Sequence, residues 1–326
     1  MYIEDLKFSL WADFIERDYL DNEFKDLINE GIINGATSNP AIFKNAILTS
    51  PAYKEQLATL GHLSAKEKYE ALAIYDITKA ADILELLYQS GDDGYVSIEV
   101  DPFLSNDAEA TIEEGKRLYG TIKRPNVMIK VPATEAGYIA MQALTARGIP
   151  VNATLIFKKE QAIKCAEAFK AGCKQNGSAV STVISIFVSR VDRALDAELA
   201  KHKVDVALGG IYNAADIYKT IEEMQVPSCR ALFASTGVKG DSLPAHYDID
   251  GLLAYNTVNT APVDTIKAFH ANGKKKKSLP LPEGSIEDYF EKLECIGIDF
   301  EEVLDKQISD GLIAFEDAFR EILESL

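Results

Sequence analysis

The segment Asn126-Val-Met-Ile-Lys-Val-Pro132 decides how the fold is read, because one charge interrupts an otherwise apolar run. Its β-branched residues and closing proline describe a short buried strand. Lysine is among the residues least often fully buried, since an unpaired ammonium loses its hydration there at great cost. Lys130 must therefore find a partner or give up its proton. A strand-end salt bridge is the ordinary outcome. The other outcome yields a neutral amine, the nucleophile that forms Schiff bases with carbonyl compounds.

Outward from this segment, short apolar runs alternate with helical stretches, which predicts parallel strands joined by crossover helices. Eight strand candidates occupy 8–13, 35–39, 96–101, 127–132, 151–157, 180–188, 231–235 and 252–257. Eight strands with helices between them point to an α/β fold of the TIM (β/α)8 barrel type, with additional C-terminal helices. No Gly-x-Gly-x-x-Gly follows the first strand, which counts against a dinucleotide-binding sheet. Ile77, Ala80, Ala81, Leu84, Leu87 and Tyr88 form a helical stripe that Ser90-Gly91 should stop. Asp299 with Glu302 three residues on resembles a capping box. It opens a segment whose Val303, Leu304, Phe315, Phe319 and Ile322 should pack onto the barrel, with Gly311 expected to divide it into two helices. No linker rich in Gly, Pro or Ser separates two parts. Residues 1–326 are therefore expected to form one domain, with helices over about 286–326 lying on the barrel.

Composition narrows the function. The 326 residues are 47% hydrophobic and carry 34 basic against 51 acidic side chains, a formal charge of −17. Such a surface repels nucleic acid and anionic membranes, and the lysines at 274–277 read as a solvated loop. No apolar stretch approaches the roughly 20 residues of a membrane span, and the acidic N-terminus lacks a secretory pattern. Cys165, Cys173, Cys229 and Cys295 form no Cys-x-x-Cys pair, so a reducing cytoplasm is expected. The four histidines show neither metal-ligand spacing nor a nearby nucleophile motif, so no metal is expected.

In an α/β barrel, the active site is built at the C-terminal ends of the strands. Polar residues stand at those ends here: Asp13, Thr37 and Asn39, Glu99 and Asp101, Lys130, Asn152 with Thr154, Ser181 and Ser185 followed by Arg190, and Ser235. Asp13 or Asn39 alone would be read as a helix cap. A lysine, two acids, two amides and several hydroxyls converging on one barrel mouth form a chemical set. Lys130 supplies an amine, a carboxylate moves the protons of Schiff-base formation, and amides and hydroxyls hold a small polyol. Arg190 and Lys239 can bind a phosphate at the rim. The set predicts aldol chemistry on a sugar phosphate.

At this point the residues resemble a known family. Gly35-Ala-Thr-Ser-Asn-Pro40 resembles the first transaldolase signature, and Val127-Met-Ile-Lys-Val-Pro-Ala-Thr-Glu-Ala-Gly137 the second, which contains the Schiff-base lysine. Val96-Ser-Ile-Glu-Val-Asp101, Val151-Asn-Ala-Thr-Leu-Ile-Phe157, Ile184-Ser-Ile-Phe-Val-Ser-Arg190, Ala234-Ser-Thr-Gly-Val-Lys239 and Asn256-Thr-Val-Asn-Thr260 follow in order. The resemblance implies a cofactor-free transaldolase of the pentose phosphate pathway. Lys130 is the implied nucleophile, Asp13 the base at the C4 hydroxyl, and Glu99 the proton shuttle through a water held with Thr154. Thr37, Asn39, Asn152 and Ser185 fall to substrate binding, and Arg190 and Ser235 to phosphate. Many members carry a second arginine two positions after that serine. Here it is Gly237, which leaves Lys239 to supply the charge, as a point rather than a planar fork. Expected partners are small-molecule sugar phosphates, with the chain a monomer or homodimer. The alternatives are a fructose 6-phosphate aldolase-type lyase and a catalytically silent metabolite-binding barrel.

Overall fold

A computed structural model describes residues 1–238 and 243–326. Its parallel strands close in sequence order into a barrel, β1 pairing with β8. They are β1 Ser9–Ala12, β2 Gly35–Ala36, β3 Tyr95–Glu99, β4 Val127–Pro132, β5 Val151–Ile156, β6 Thr182–Phe187, β7 Cys229–Ala234 and β8 Val258–Ala261. Seven strands fall where the sequence places them, with ends moved by a few residues.

The eighth strand is a correction. Residues 252–255 are apolar and mostly buried, but they follow the helix Tyr247–Gly251. The carbonyl of Leu253 accepts the amides of Ser278 and Leu279 rather than a strand partner. Asn256 then turns the chain at φ 57°, and pairing with β1 and β7 begins at Val258. The polar look of Asn259 and Thr260 concealed the strand, yet both are buried.

The barrel interior sets the site through the pleat. Trp11, Met128, Val183, Leu232 and Val258 pack together inside the barrel. Side chains two apart along a strand share a face. The residues two steps further on are Asp13, Lys130, Ser185, Ala234 and Thr260, and all of them line one cleft above that packed layer. A second apolar cluster lies between the strands and the surrounding helices. The lower end is closed by polar contacts: the Trp11 indole donates to Asp93 at 3.0 Å, and Arg230 bonds to Asp93, Ser9 and the Thr257 carbonyl. Ser181 belongs to this lower end, accepting the Tyr95 hydroxyl at 2.7 Å.

Two helices complete the chain, Ser285–Cys295 and Phe300–Ser325. Asp299 caps the second, accepting the Glu302 amide at 3.0 Å. Contrary to expectation, this helix runs unbroken through Gly311. The glycine serves close approach instead, because a Cβ there would meet Leu155 Cδ2 at 3.0 Å. The helix Ala65–Ser90 ends as expected, with Gly91 in the left-handed conformation at φ 78°.

Gly35 is required by the interior layer, since a Cβ on it would lie 2.6 Å from the buried Trp11 ring. Gly35→Ala is expected to lower the unfolding free energy by about 1–3 kcal/mol through overpacking. Urea denaturation with an unchanged slope and a lower midpoint checks this; an unmoved midpoint would refute it.

Candidate active site

Parallel register brings the charged groups together. Glu99 on β3 stands opposite Lys130 on β4, and Lys130 opposite Asn152 on β5. Lys130 is 5% exposed. Its Nζ donates to the Ser38 carbonyl at 3.0 Å, stands 3.5 Å from Glu99 Oε2, and lies 5.7 Å from the centroid of the Phe315 ring. The buried lysine has therefore found partners. Neither carboxylate oxygen of Glu99 has a hydrogen-bond partner among the described residues. Burial raises the Glu99 pKa to about 7, with Asp13 adding to the rise and the Lys130 ammonium opposing it.

Asp13 follows β1 and accepts the Thr37 hydroxyl at 2.6 Å, and Thr37 shares a second 2.6 Å contact with the Thr260 hydroxyl. Part of its surface opens into the cleft. The enclosing protein still raises its pKa above the ordinary carboxylate value, while Lys130 and the Thr37 bond pull the other way. On the opposite wall, Asn152 donates to Ser97 at 3.0 Å and accepts from Ser185 at 2.6 Å. Thr154 sits on the same face of β5, and its buried hydroxyl has no hydrogen-bond partner among the described residues. A register shift follows at Ala153–Ile156, with Leu155 at φ 60°. Such a bulge re-aims a side chain, and Leu155 packs against Gly311 of the last helix.

Asn39 caps the helix Pro40–Thr49, its side chain accepting the Ile42 amide at 3.0 Å. The cap and the cleft position are thus both real, because Asn39 also lines the cleft. At the rim, Arg190 occupies the first turn of the helix Ser189–Lys201 and lies over the Phe187 ring at 5.3 Å. It makes no ion pair among the described residues. Burial and the neighbouring Arg193 lower its pKa from the usual guanidinium value, against a pull from Asp310. Ser235, at φ 56°, shares a 3.0 Å hydroxyl contact with Ser189.

Asp13, Thr37, Asn39, Lys130, Asn152, Thr154, Ser185, Arg190 and Ser235 therefore meet in a cleft of about 160 Å³. That is well below the roughly 300 Å³ at which drug-sized sites begin, and suits a small ligand. Asp101 stays outside it, capping the turn Pro102–Leu104 and pairing with Lys66 at 2.6 Å. Lys239 lies outside the described residues. Sequence reasoning missed Thr260, Phe187 and Phe315 as cleft residues. Thr260 and Phe187 carried a usable signal, each lying two positions from an inward residue of its strand, whereas Phe315 had none beyond its helical stripe.

The chain matches the family model for transaldolase/fructose-6-phosphate aldolase over residues 10–326. It is 49% identical to a transaldolase of Campylobacter jejuni strain 81-176, covering 98% of this chain and 99% of that one. It is 44% identical to a transaldolase of Helicobacter pylori strain Shi470, with the same coverage of both chains. With a lysine on β4 facing a glutamate on β3 across a closed parallel barrel, the chain belongs to the transaldolase/fructose-6-phosphate aldolase family.

Proposed function

We propose that this chain is a transaldolase of the pentose phosphate pathway, moving a dihydroxyacetone unit from a ketose phosphate to an aldose phosphate. The observation that carries the reading is the Lys130 amine, buried 3.5 Å from Glu99, in one cleft with Asp13 and with Arg190, which makes no ion pair among the described residues. The transaldolase names of the two bacterial relatives favour transfer over simple cleavage.

In this reading the Lys130 ammonium first passes a proton to the Glu99 carboxylate 3.5 Å away, and the neutral Nζ then attacks the C2 carbonyl of fructose 6-phosphate or sedoheptulose 7-phosphate, giving a carbinolamine. Its dehydration requires a proton on the departing hydroxyl. Glu99 is suited to deliver it through a water, since its oxygens and the Thr154 hydroxyl are buried without hydrogen-bond partners among the described residues and buried polar groups gather water. Its pKa of about 7 lets it give and accept protons near neutrality. Asp13 then takes the proton of the C4 hydroxyl. The C3–C4 electron pair moves into the iminium, an aldose phosphate leaves, and an enamine remains on Lys130. Thr37 orients Asp13, while Asn39, Asn152 and Ser185 hold the dihydroxyacetone hydroxyls. Arg190 and Ser235 bind the phosphate, with Lys239 as a further candidate. Glyceraldehyde 3-phosphate or erythrose 4-phosphate adds by the reverse path, giving ping-pong kinetics. We infer a cytoplasmic location and one working domain; the four free cysteines support the first.

Asp13→Ala should lower the rate of fructose 6-phosphate cleavage about 10²–10⁴-fold, the usual weight of a positioned base, with KM little changed. Steady-state kinetics with erythrose 4-phosphate as acceptor measure this, and a pure KM effect would contradict the assignment. Lys130→Arg keeps the charge but forms no imine, so turnover should vanish while the circular dichroism spectrum stays native.

Glu99 also predicts a pH effect on stability. Its folded pKa of about 7 lies above the ordinary 4.5, so across that window the folded chain binds more protons than the unfolded one. Stability contributed by this group therefore falls as pH rises from about 4.5 to 7. Glu99→Gln should remove that slope. Urea midpoints of both proteins at pH 5, 6, 7 and 8 check it: the difference between them should change across the series, and a constant difference would refute the titration.

A further inference from the structure

The last helix, Phe300–Ser325, reaches both ends of the cleft. Phe315 is 4% exposed and lies over the Lys130 nitrogen, with 5.7 Å to its ring centroid. One turn earlier, Gly311 leaves room for the guanidinium of Arg190, since a Cβ there would stand 3.4 Å from its Nη1. The helix is clamped on both sides of this contact. Lys158 pairs with Glu301 at 2.9 Å and Asp305 at 2.6 Å, Lys44 with Glu321 at 2.9 Å, and the Phe319 ring meets Tyr69 at 5.0 Å. None of the proton transfers described above uses Phe315.

We propose that Phe315 is a specificity-determining residue, which decides whether the three-carbon fragment on Lys130 is transferred or released. This rests on the transaldolase reading. After C3–C4 cleavage the fragment holds its electron pair as an enamine, and two fates are open. In transfer, that pair forms a carbon–carbon bond to the aldehyde of the acceptor, whose oxygen takes the proton held by Asp13. In release, the same carbon takes a proton from water, a water oxygen adds to the iminium carbon, and the carbon–nitrogen bond breaks. Free dihydroxyacetone leaves and the lysine amine is restored. The net of release is one ketose phosphate giving dihydroxyacetone and one aldose phosphate, with no oxidant or reductant consumed.

An aromatic ring over the nitrogen favours the first fate. It has no proton to give, and as an apolar wall of the cleft it leaves less room for further water beside the fragment than a smaller or polar side chain would. A dry site suppresses hydrolysis of reactive intermediates. Were Phe315 only a packing residue, its loss would lower stability and leave the partition between transfer and release unmoved.

The test incubates the full chain with fructose 6-phosphate and erythrose 4-phosphate, and measures free dihydroxyacetone and sedoheptulose 7-phosphate in the same reaction. Phe315→Ala should raise the ratio of released to transferred fragment about tenfold. Phe315→Leu, which keeps most of the volume and hence the fold, should raise it about threefold. An unchanged ratio in a variant with native circular dichroism overturns the proposal, and the leucine variant decides the matter where the alanine variant fails to fold. If the unaltered protein forms no sedoheptulose 7-phosphate, the transaldolase reading falls and this inference with it. If it transfers normally and the variants' ratio stays put, only the role of Phe315 falls.

Discussion

A lysine ammonium facing a glutamate across adjacent parallel strands, both nearly sealed from solvent, is the constraint the site is built around. Lys130 and Glu99 are 5% and 6% exposed and 3.5 Å apart. Burying two charges costs several kcal/mol per ion before their attraction is counted, and well-packed apolar residues would often serve stability as well or better. The surrounding structure does little to soften that cost. Glu99 lacks hydrogen-bond partners among the described residues, and its proton is held up to about pH 7. A partly satisfied buried pair is what a proton-moving centre requires, and it is a poor device for stability alone.

The barrel makes this arrangement possible by dividing its interior into two storeys. The lower one is packed solid by Trp11, Met128, Val183, Leu232 and Val258 and closed beneath by Arg230 and Asp93. The upper one receives the next inward side chain of each strand, so chemistry is confined to the C-terminal ends. Gly35 belongs to the first storey because the Trp11 ring needs its space. Over the top, the last helix brings a phenylalanine to the amine and a glycine to the guanidinium. The cleft is thus bounded by rigid elements, as precise positioning demands.

Much of this was legible in the sequence, and for identifiable reasons. Short apolar runs between helical stretches located seven strands, and the rule that barrel sites form at strand C-terminal ends placed Asp13, Lys130, Asn152, Thr154 and Ser185 at the mouth, where they line the cleft. Buried polar residues within a strand break that signal. Asn259 and Thr260 therefore hid β8, and the apolar residues at 252–255 took its place. Gly311 was read by local propensity as a break, whereas tertiary approach to Leu155 governs it. Phe315 had an apolar partner face but no local sign of which surface it would cover, since contact with Lys130 depends on how the last helix lies across the barrel. Asp101 and Ser181 looked equivalent to the cleft residues, and only the structure separates a turn cap and a lower-end hydroxyl from the site.

The central claim is that one amine, that of Lys130, carries the substrate covalently, and hydride trapping tests it most directly. The protein is treated with borohydride in the presence of fructose 6-phosphate, digested, and its peptides are mapped by mass. The account predicts a reduced sugar-derived adduct on Lys130 with parallel loss of activity. An unmodified Lys130, or an adduct on another lysine, in protein inactivated by the treatment would contradict it.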